Sequence, residues 1–342
     1  MTFQRIVPRS LYVTILLGLV ASLATVPVHA ASTPPTLTVT STTKHAVGTD
    51  PTVIAPTLTI ADDDNEVLDG AQASLTNNFT SDTDRLGISG QGTAMSGTVN
   101  GLTWGYNLTT GILTFSGVAP VTTYQAALQQ VTFYTIGTPA LQPRMVQFTL
   151  GSALAHPANG HFYRFIAESG IPWNSARDAA MDSTLFGVRG YLVTITSEAE
   201  NSFIHDKIGR DTWIGASDAV MEGDWRWMTG PEAGTQFWSG TYATGSPVNN
   251  QYNHWRHEQP DDKNNEDYGH IFAYPWSGFW NDLPQPYPSG YHMTTGYIVE
   301  YGGMPGDPVL HITGTATVNV VQKFIYLPIV NASGSPAASV MR

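Results

Sequence analysis

Residues 257–267 read HEQPDDKNNED. Five acids (Glu258, Asp261, Asp262, Glu266, Asp267), three amides, one lysine and a proline stand together with almost nothing apolar among them. Such a run is either a solvated loop or a set of oxygens converging on one object. The object that needs many oxygens at once is a hard cation, and calcium takes about 6–8 of them at about 2.3–2.6 Å. A second acidic pair, Asp218 and Glu222, lies upstream within WIGASDAVMEGDWRWMTG (213–230).

Loops of this kind need a scaffold. The 342-residue chain has a net charge of −12 and no cysteine. An acidic chain is a poor partner for nucleic acid, which demands clustered Lys and Arg, and stability without disulfides must come from core burial, helped by metal. The first 30 residues read as a secretory signal peptide: Arg5 and Arg9, an apolar run from Leu11 to Ala24, then Val28-His29-Ala30 as a small-residue cleavage site. That run is short for a membrane span of about 20 residues, and no later segment qualifies. The expected location is secreted, extracellular or at a cell surface. The mature chain then carries 13 − 27 = −14.

Residues 31–154 read as strands. TLTVT, TVIAPTLTIAD, GLTWGYN, GILTFSG, QVTFYTI and MVQFTL show period-2 alternation or β-branched enrichment between turns, and TYQAALQQ is the one helical turn. The expectation is a β-sandwich, completed by a strand within 306–322 that follows an inserted domain at 155–305. Asp62, Asp63, Asp64 and Glu66 fit a strand-end turn better than a calcium site. In the insert, WNSARDAAMDS (173–183) and SEAENSFIHDKIG (197–209) predict two helices. The second has Ser197 and Glu200 as a capping box, an apolar face of Phe203, Ile204 and Ile208, and a stop at Gly209. Residues 323–342 read as a loosely ordered tail.

Four elements in order then carry a resemblance: Trp-Ile-Gly, Glu-Gly-x-Trp-x-Trp, Gln-Pro-Asp followed by Glu-Asp, and Trp-Asn-Asp, with GYIVEY as a last strand. Residues 161–301 resemble the C-type lectin domain, an α+β fold of two helices, small antiparallel sheets and a long calcium-holding loop region. The segment before it resembles bacterial cadherin-like, immunoglobulin-type repeats through LTIADDDNEVLDGA, GILTFSG and YQAALQQVTFY. The first resemblance implies a sugar-binding calcium site at Gln259, Asp261, Glu266, Asn281 and Asp282, with the Asp282 carbonyl as a further ligand. It also implies an auxiliary calcium site at Asp218, Glu222, Asp262 and Asp267. It implies a cis Gln259–Pro260 bond as well, the X–Pro type being the one where cis costs little.

What the resemblance implies for function is calcium-dependent binding of a glycan, on a surface glycoprotein or a polysaccharide. Gln-Pro-Asp instead of Glu-Pro-Asn points to galactose-type sugars. The chain departs from the galactose pattern at Lys263 and Asn264, where a stacking aromatic is usual; Trp276 and Tyr274 are the candidates to replace it. Tyr268 and Val299 stand where the family has cysteines, which makes this a disulfide-free variant. Trp213, Trp225, Trp227 and Trp280 read as core. Two other functions compete. One is a calcium-stabilised adhesin of the same fold that binds protein. The other is a glycosidase with two carboxylates about 5–10 Å apart, which leaves the amides Gln259 and Asn281 without a role. The expectation is a binding protein and not an enzyme.

Overall fold

The structure, a computed structural model, describes residues 33–64, 67–273, 278–285 and 293–323, and all of them belong to one compact unit. The expected leader, Glu66, Tyr274, Trp276 and the tail from residue 324 lie outside the described residues.

A seven-stranded sheet runs in the order Thr40–Ala46, Thr313–Val321, Pro143–Leu150, Val67–Asn77, Ile112–Pro120, Leu102–Asn107, Ser96–Val99. A three-stranded sheet joins Thr52–Val53, Val131–Thr135 and Asp84–Ile88. Alternation places Leu75, Phe148 and Val318 of the first sheet in the same buried core as Leu86, Ile88 and Phe133 of the second. Between the sheets' strands, Val121–Leu128 is a short helix whose Tyr124 and Leu128 are buried. The long apolar-looking run TVIAPTLTIAD forms two short strands, Thr52–Val53 and Thr59–Ala61, on either side of Pro56. Proline cannot donate to a ladder, so the run breaks there.

The chain leaves this scaffold after Pro143–Leu150 and returns as Thr313–Val321, and those two strands pair antiparallel with Thr149 opposite Thr313. The first long strand of the intervening region, Phe162–Ala167, likewise pairs antiparallel with its last, Gly296–Tyr301. Departure and return therefore fall at one place. Phe148, Leu150 and Ile312 share one buried cluster with Phe162, Leu185, Val188, Leu192 and Tyr301, so no solvated linker separates the two regions. Lys207 adds a polar pin: its Nζ donates to the carbonyls of Leu75 (2.7 Å) and Thr110 (2.8 Å).

The intervening region holds two helices, Trp173–Asp182 and Glu198–Lys207. The second starts as the sequence predicts, with Ser197 Oγ accepting from the Glu200 N–H. The reciprocal half of the capping box is missing. Glu200 turns inward instead, accepting from the Thr196 N–H (2.8 Å) and the Tyr163 hydroxyl (2.5 Å). Tyr163 also reaches Glu300 (3.1 Å), which is paired with His161 Nδ1 at 2.6 Å. The helix stops at Gly209, where φ is +57° and the N–H bonds the carbonyl of Ile204.

A second core gathers Trp225, Trp227, Phe237, Trp255 and Trp280. Trp227 stacks on Phe237 at 4.7 Å and meets Trp280 edge-on at 5.7 Å. Trp213, Trp225, Trp227 and Trp280 are all buried, as the sequence predicts. Gly215 of the Trp-Ile-Gly strand is required by close approach. A Cβ there would lie 2.8 Å from the Leu192 carbonyl and 2.9 Å from that of Val193.

Candidate metal centre

Three strands aim the acidic loops. Tyr268–Ile271 pairs antiparallel with Trp280–Leu283, Gly269 opposite Asp282 and His270 opposite Asn281. It also pairs with Thr212–Ser217, Ser217 opposite Tyr268. This register brings residues just before Tyr268, just after Ser217 and on the 280–283 strand to one end of the ladder. Trp280, locked in the aromatic core and donating to Asn201 Oδ1 at 2.8 Å, fixes the phase of Asn281 and Asp282 behind it.

Two carboxylate clusters result. Ligand atoms of Asp261, Glu266 and Asp282 lie within 4.8 Å of one another, and so do those of Asp218, Glu222 and Asp267. The Gln259–Pro260 bond is cis. Asp262 stands between the clusters: its N–H donates to Asp282 Oδ2 (3.0 Å), and its Oδ1 accepts from the Glu266 N–H (3.1 Å). Its φ is +52°, with Asn264 and Asn265 also in the left-handed region. Short amide and acid side chains tolerate that conformation best, so the Asn/Asp richness of the loop serves backbone shape as well as charge. Asn281 donates from its amide to the Asp282 carbonyl.

Burial makes the electrostatics severe. Asp218 is pushed up to about 8, first by burial and then by the charges of Glu222, Asp267 and Asp282. Asp282 is pushed up to about 7, again by burial first, with Asp261 adding to it. Glu222 and Asp267 are raised by burial and by Asp262. Meanwhile Asp218 Oδ1, Gln259 Oε1 and Asp282 Oδ1 are buried with no hydrogen-bond partner. Buried polar oxygens are almost always satisfied, and a buried carboxylate costs several kcal/mol unless it is neutralised. All-oxygen donors with excess negative charge are what a hard divalent cation selects. The residues fit calcium, at both clusters.

The structure thus brings together the carboxylates of Asp261, Glu266 and Asp282 in one group and those of Asp218, Glu222 and Asp267 in another. Asp262 is hydrogen-bonded to the first, and its charge is felt by Glu222 and Asp267 of the second. Gln259 and Asn281 flank the first group along the chain. Nothing in the residue pattern announces the hydrogen-bonded chain Glu200–Tyr163–Glu300–His161 elsewhere in this region. A Glu at the third position of a helix that shuns its own cap is not legible as such. Tyr268, in a position where the family has cysteine, lies 5.1 Å from the Trp173 ring, and Val299 is buried.

Residues 187–285 match the family model of the lectin C-type domain, so the chain contains a C-type lectin domain. Over 273 residues, 77% of its length, it is 34% identical to Halomucin of Haloquadratum walsbyi, of which it spans 3%. That match is longer than the lectin region and so includes strands of the β-layers. Over 128 residues, 35% of its length, it is 34% identical to the perlucin-like protein of Mytilus galloprovincialis, of which it spans 66%. The mouse scavenger receptor C-type lectin carbohydrate-recognition domain is 24% identical, covering 41% of this chain and 88% of its own, with a TM-score of 0.29. Among the described residues no helix is long and apolar enough to cross a membrane.

Proposed function

We propose that this chain is a secreted, calcium-dependent carbohydrate-binding protein. The observation that carries the reading is the buried, unpartnered Asp282 Oδ1 in the carboxylate cluster of Asp261, Glu266 and Asp282, together with the equally buried and unpartnered Gln259 Oε1 across the cis Pro260 from Asp261. Gln259, Asp261, Glu266, Asn281 and Asp282 would hold the primary ion, and Asp218, Glu222, Asp262 and Asp267 the auxiliary one. Calcium, when bound, supplies coordination places for two vicinal hydroxyls of a sugar.

The side chains supply the rest. Amide NH2 groups of Gln259 and Asn281 donate to those hydroxyls, and the Asp261 and Glu266 carboxylates accept from them. The Gln-Pro-Asp order favours galactose-type sugars. The auxiliary site stiffens the loop that carries Asp262 and Glu266. The β-layers of 31–154, closed by the strand at 313–321, form an immunoglobulin-like spacer from which the domain at 155–305 presents its loops. The leader before Ala31 directs export.

A glycan array probed in calcium and again in chelator tests the reading. Signal on one sugar class that vanishes with chelator is expected; signal indifferent to chelator, or none at all, rejects it.

A further inference from the structure

The turn at residues 239–245 has no counterpart in the motifs that define the site, yet it is built onto both acidic loops. The Gly240 N–H donates to the Gly223 carbonyl at 2.7 Å, on the loop of Asp218 and Glu222. Two residues later the Tyr242 N–H donates to the Pro260 carbonyl at 2.8 Å, between Gln259 and Asp261. The turn is closed on itself by Gly245 N–H to the Thr241 carbonyl and by Trp238 Nε1 to the Gly240 carbonyl at 2.7 Å. It is also packed too tightly for side chains at its hinges. A Cβ on Gly240, where φ is +94°, would sit 2.9 Å from Gly245 Cα, and one on Gly245 would sit 2.5 Å from Trp238 Nε1.

All of this fixes a backbone whose one large side chain is exposed. Tyr242 is 52% accessible. The other exposed aromatic among the described residues, Phe279, is already stacked on His254 at 4.5 Å. The Tyr242 ring has neither a hydrogen bond nor a ring partner among the described residues. This leaves an aromatic ring with a free apolar face on a tight turn whose backbone is one hydrogen bond from Pro260, between the proposed ligand residues Gln259 and Asp261.

We propose that Tyr242 is the specificity-determining platform of the ligand site, its ring taking the apolar C–H face of a pyranose whose hydroxyls meet Gln259 and Asp261. This rests on the carbohydrate-binding reading. Aromatic contacts of this kind are worth a few-fold to about tenfold in affinity, and they favour sugars in which an axial hydroxyl leaves one face continuously apolar.

The test uses the full chain, Tyr242→Ala and Tyr242→Phe, with beads carrying galactose, N-acetylgalactosamine, mannose or fucose in millimolar calcium. Calcium affinity is titrated in parallel. Expected is a loss of about five- to tenfold for the preferred sugar in Tyr242→Ala, retention in Tyr242→Phe, and calcium affinity equal in all three, since alanine keeps the main-chain bond to Pro260. Sugar binding by Tyr242→Ala equal to the parent overturns the proposal and leaves the lectin reading intact. A parallel fall in calcium affinity also overturns it, by making the turn a structural support only. A parent that binds none of the four sugars sinks the lectin reading, and this proposal with it.

Discussion

Asp84 in the β-layers and Asp218 and Asp282 in the acidic loops are equally removed from water, but they are neutralised differently. Asp84 faces Arg144, itself fully buried, with Nε at 2.7 Å and Nη2 at 3.2 Å. It also accepts from the Thr80 N–H and the Thr83 hydroxyl. Arg144 also donates to the carbonyls of Ala140 and Gln142. That pair is complete within the chain. Around Asp218 the principal charges are other carboxylates, Glu222, Asp267 and Asp282. One region brings its own cation; in the other the charges that act most on Asp218 are carboxylates, and the proposed calcium would supply the missing positive charge from solution. On the proposed reading, the first arrangement should be insensitive to calcium and the second should respond to it.

The comparison breaks most sharply at Arg144. Arg144→Met leaves Asp84 as an uncompensated buried charge and should cost about 3–5 kcal/mol, equally in calcium and in chelator; urea unfolding in both media measures it. Calcium itself should stabilise the parent by about 2.7 kcal/mol at a concentration 100 times its dissociation constant. That appears as a melting temperature higher by several degrees, and no shift at millimolar calcium would argue against the cation sites. Asp282→Asn should reverse sign with the medium. It leaves the melting temperature in chelator unchanged or raised, because a buried charge is gone, and it abolishes most of the calcium-induced rise.

The pH dependence follows from the raised carboxylates. Asp218 at about 8 and Asp282 at about 7 hold protons in the ion-free native state that the unfolded chain has released above about 4. Stability in chelator should therefore fall as pH climbs from about 4 to about 8. Glu200, raised by burial and by Glu300, and His161, raised by its bond to Glu300, act in the same direction. Calcium competes with those protons, so the gap between melting curves with and without it should widen over this window. A gap independent of pH would show that Asp218 and Asp282 do not contact the ion. The smallest effect is local: Ser197→Ala removes the cap on the 198–207 helix and should cost about 1 kcal/mol, with no change in calcium affinity by titration calorimetry.

Legibility differed between the two regions for physical reasons. GLTWGYN, GILTFSG and MVQFTL alternate and are strands. The eleven-residue strand Val67–Asn77, which lies between Pro143–Leu150 and Ile112–Pro120, is not legible as one. Its VLDGAQASLTN is rich in small and polar residues, and six consecutive buried positions erase the alternation. Such a strand is recognisable only by what packs on both of its faces. The Thr40–Ala46 strand, TSTTKHA, is similarly illegible; its partner is the distant strand Thr313–Val321, in parallel register. The candidate metal centre is more legible, because oxygen chemistry is written in residue types and Pro260 marks the turn that its cis bond makes.

The sequence by itself determined the kinds of group available: acids and amides too dense for an ordinary loop, a tryptophan framework, two helices, and no cysteine to assist them. Only the tertiary structure decided that Asp218 and Asp282 are buried, that Glu200 turns away from its own helix cap, and that the 239–245 turn bridges two loops about twenty residues away on either side. Identity of a side chain is a local property. Its solvation and its charged neighbours depend on strand register across the whole fold, and those two quantities set whether a carboxylate is surface decoration or half of a cation site.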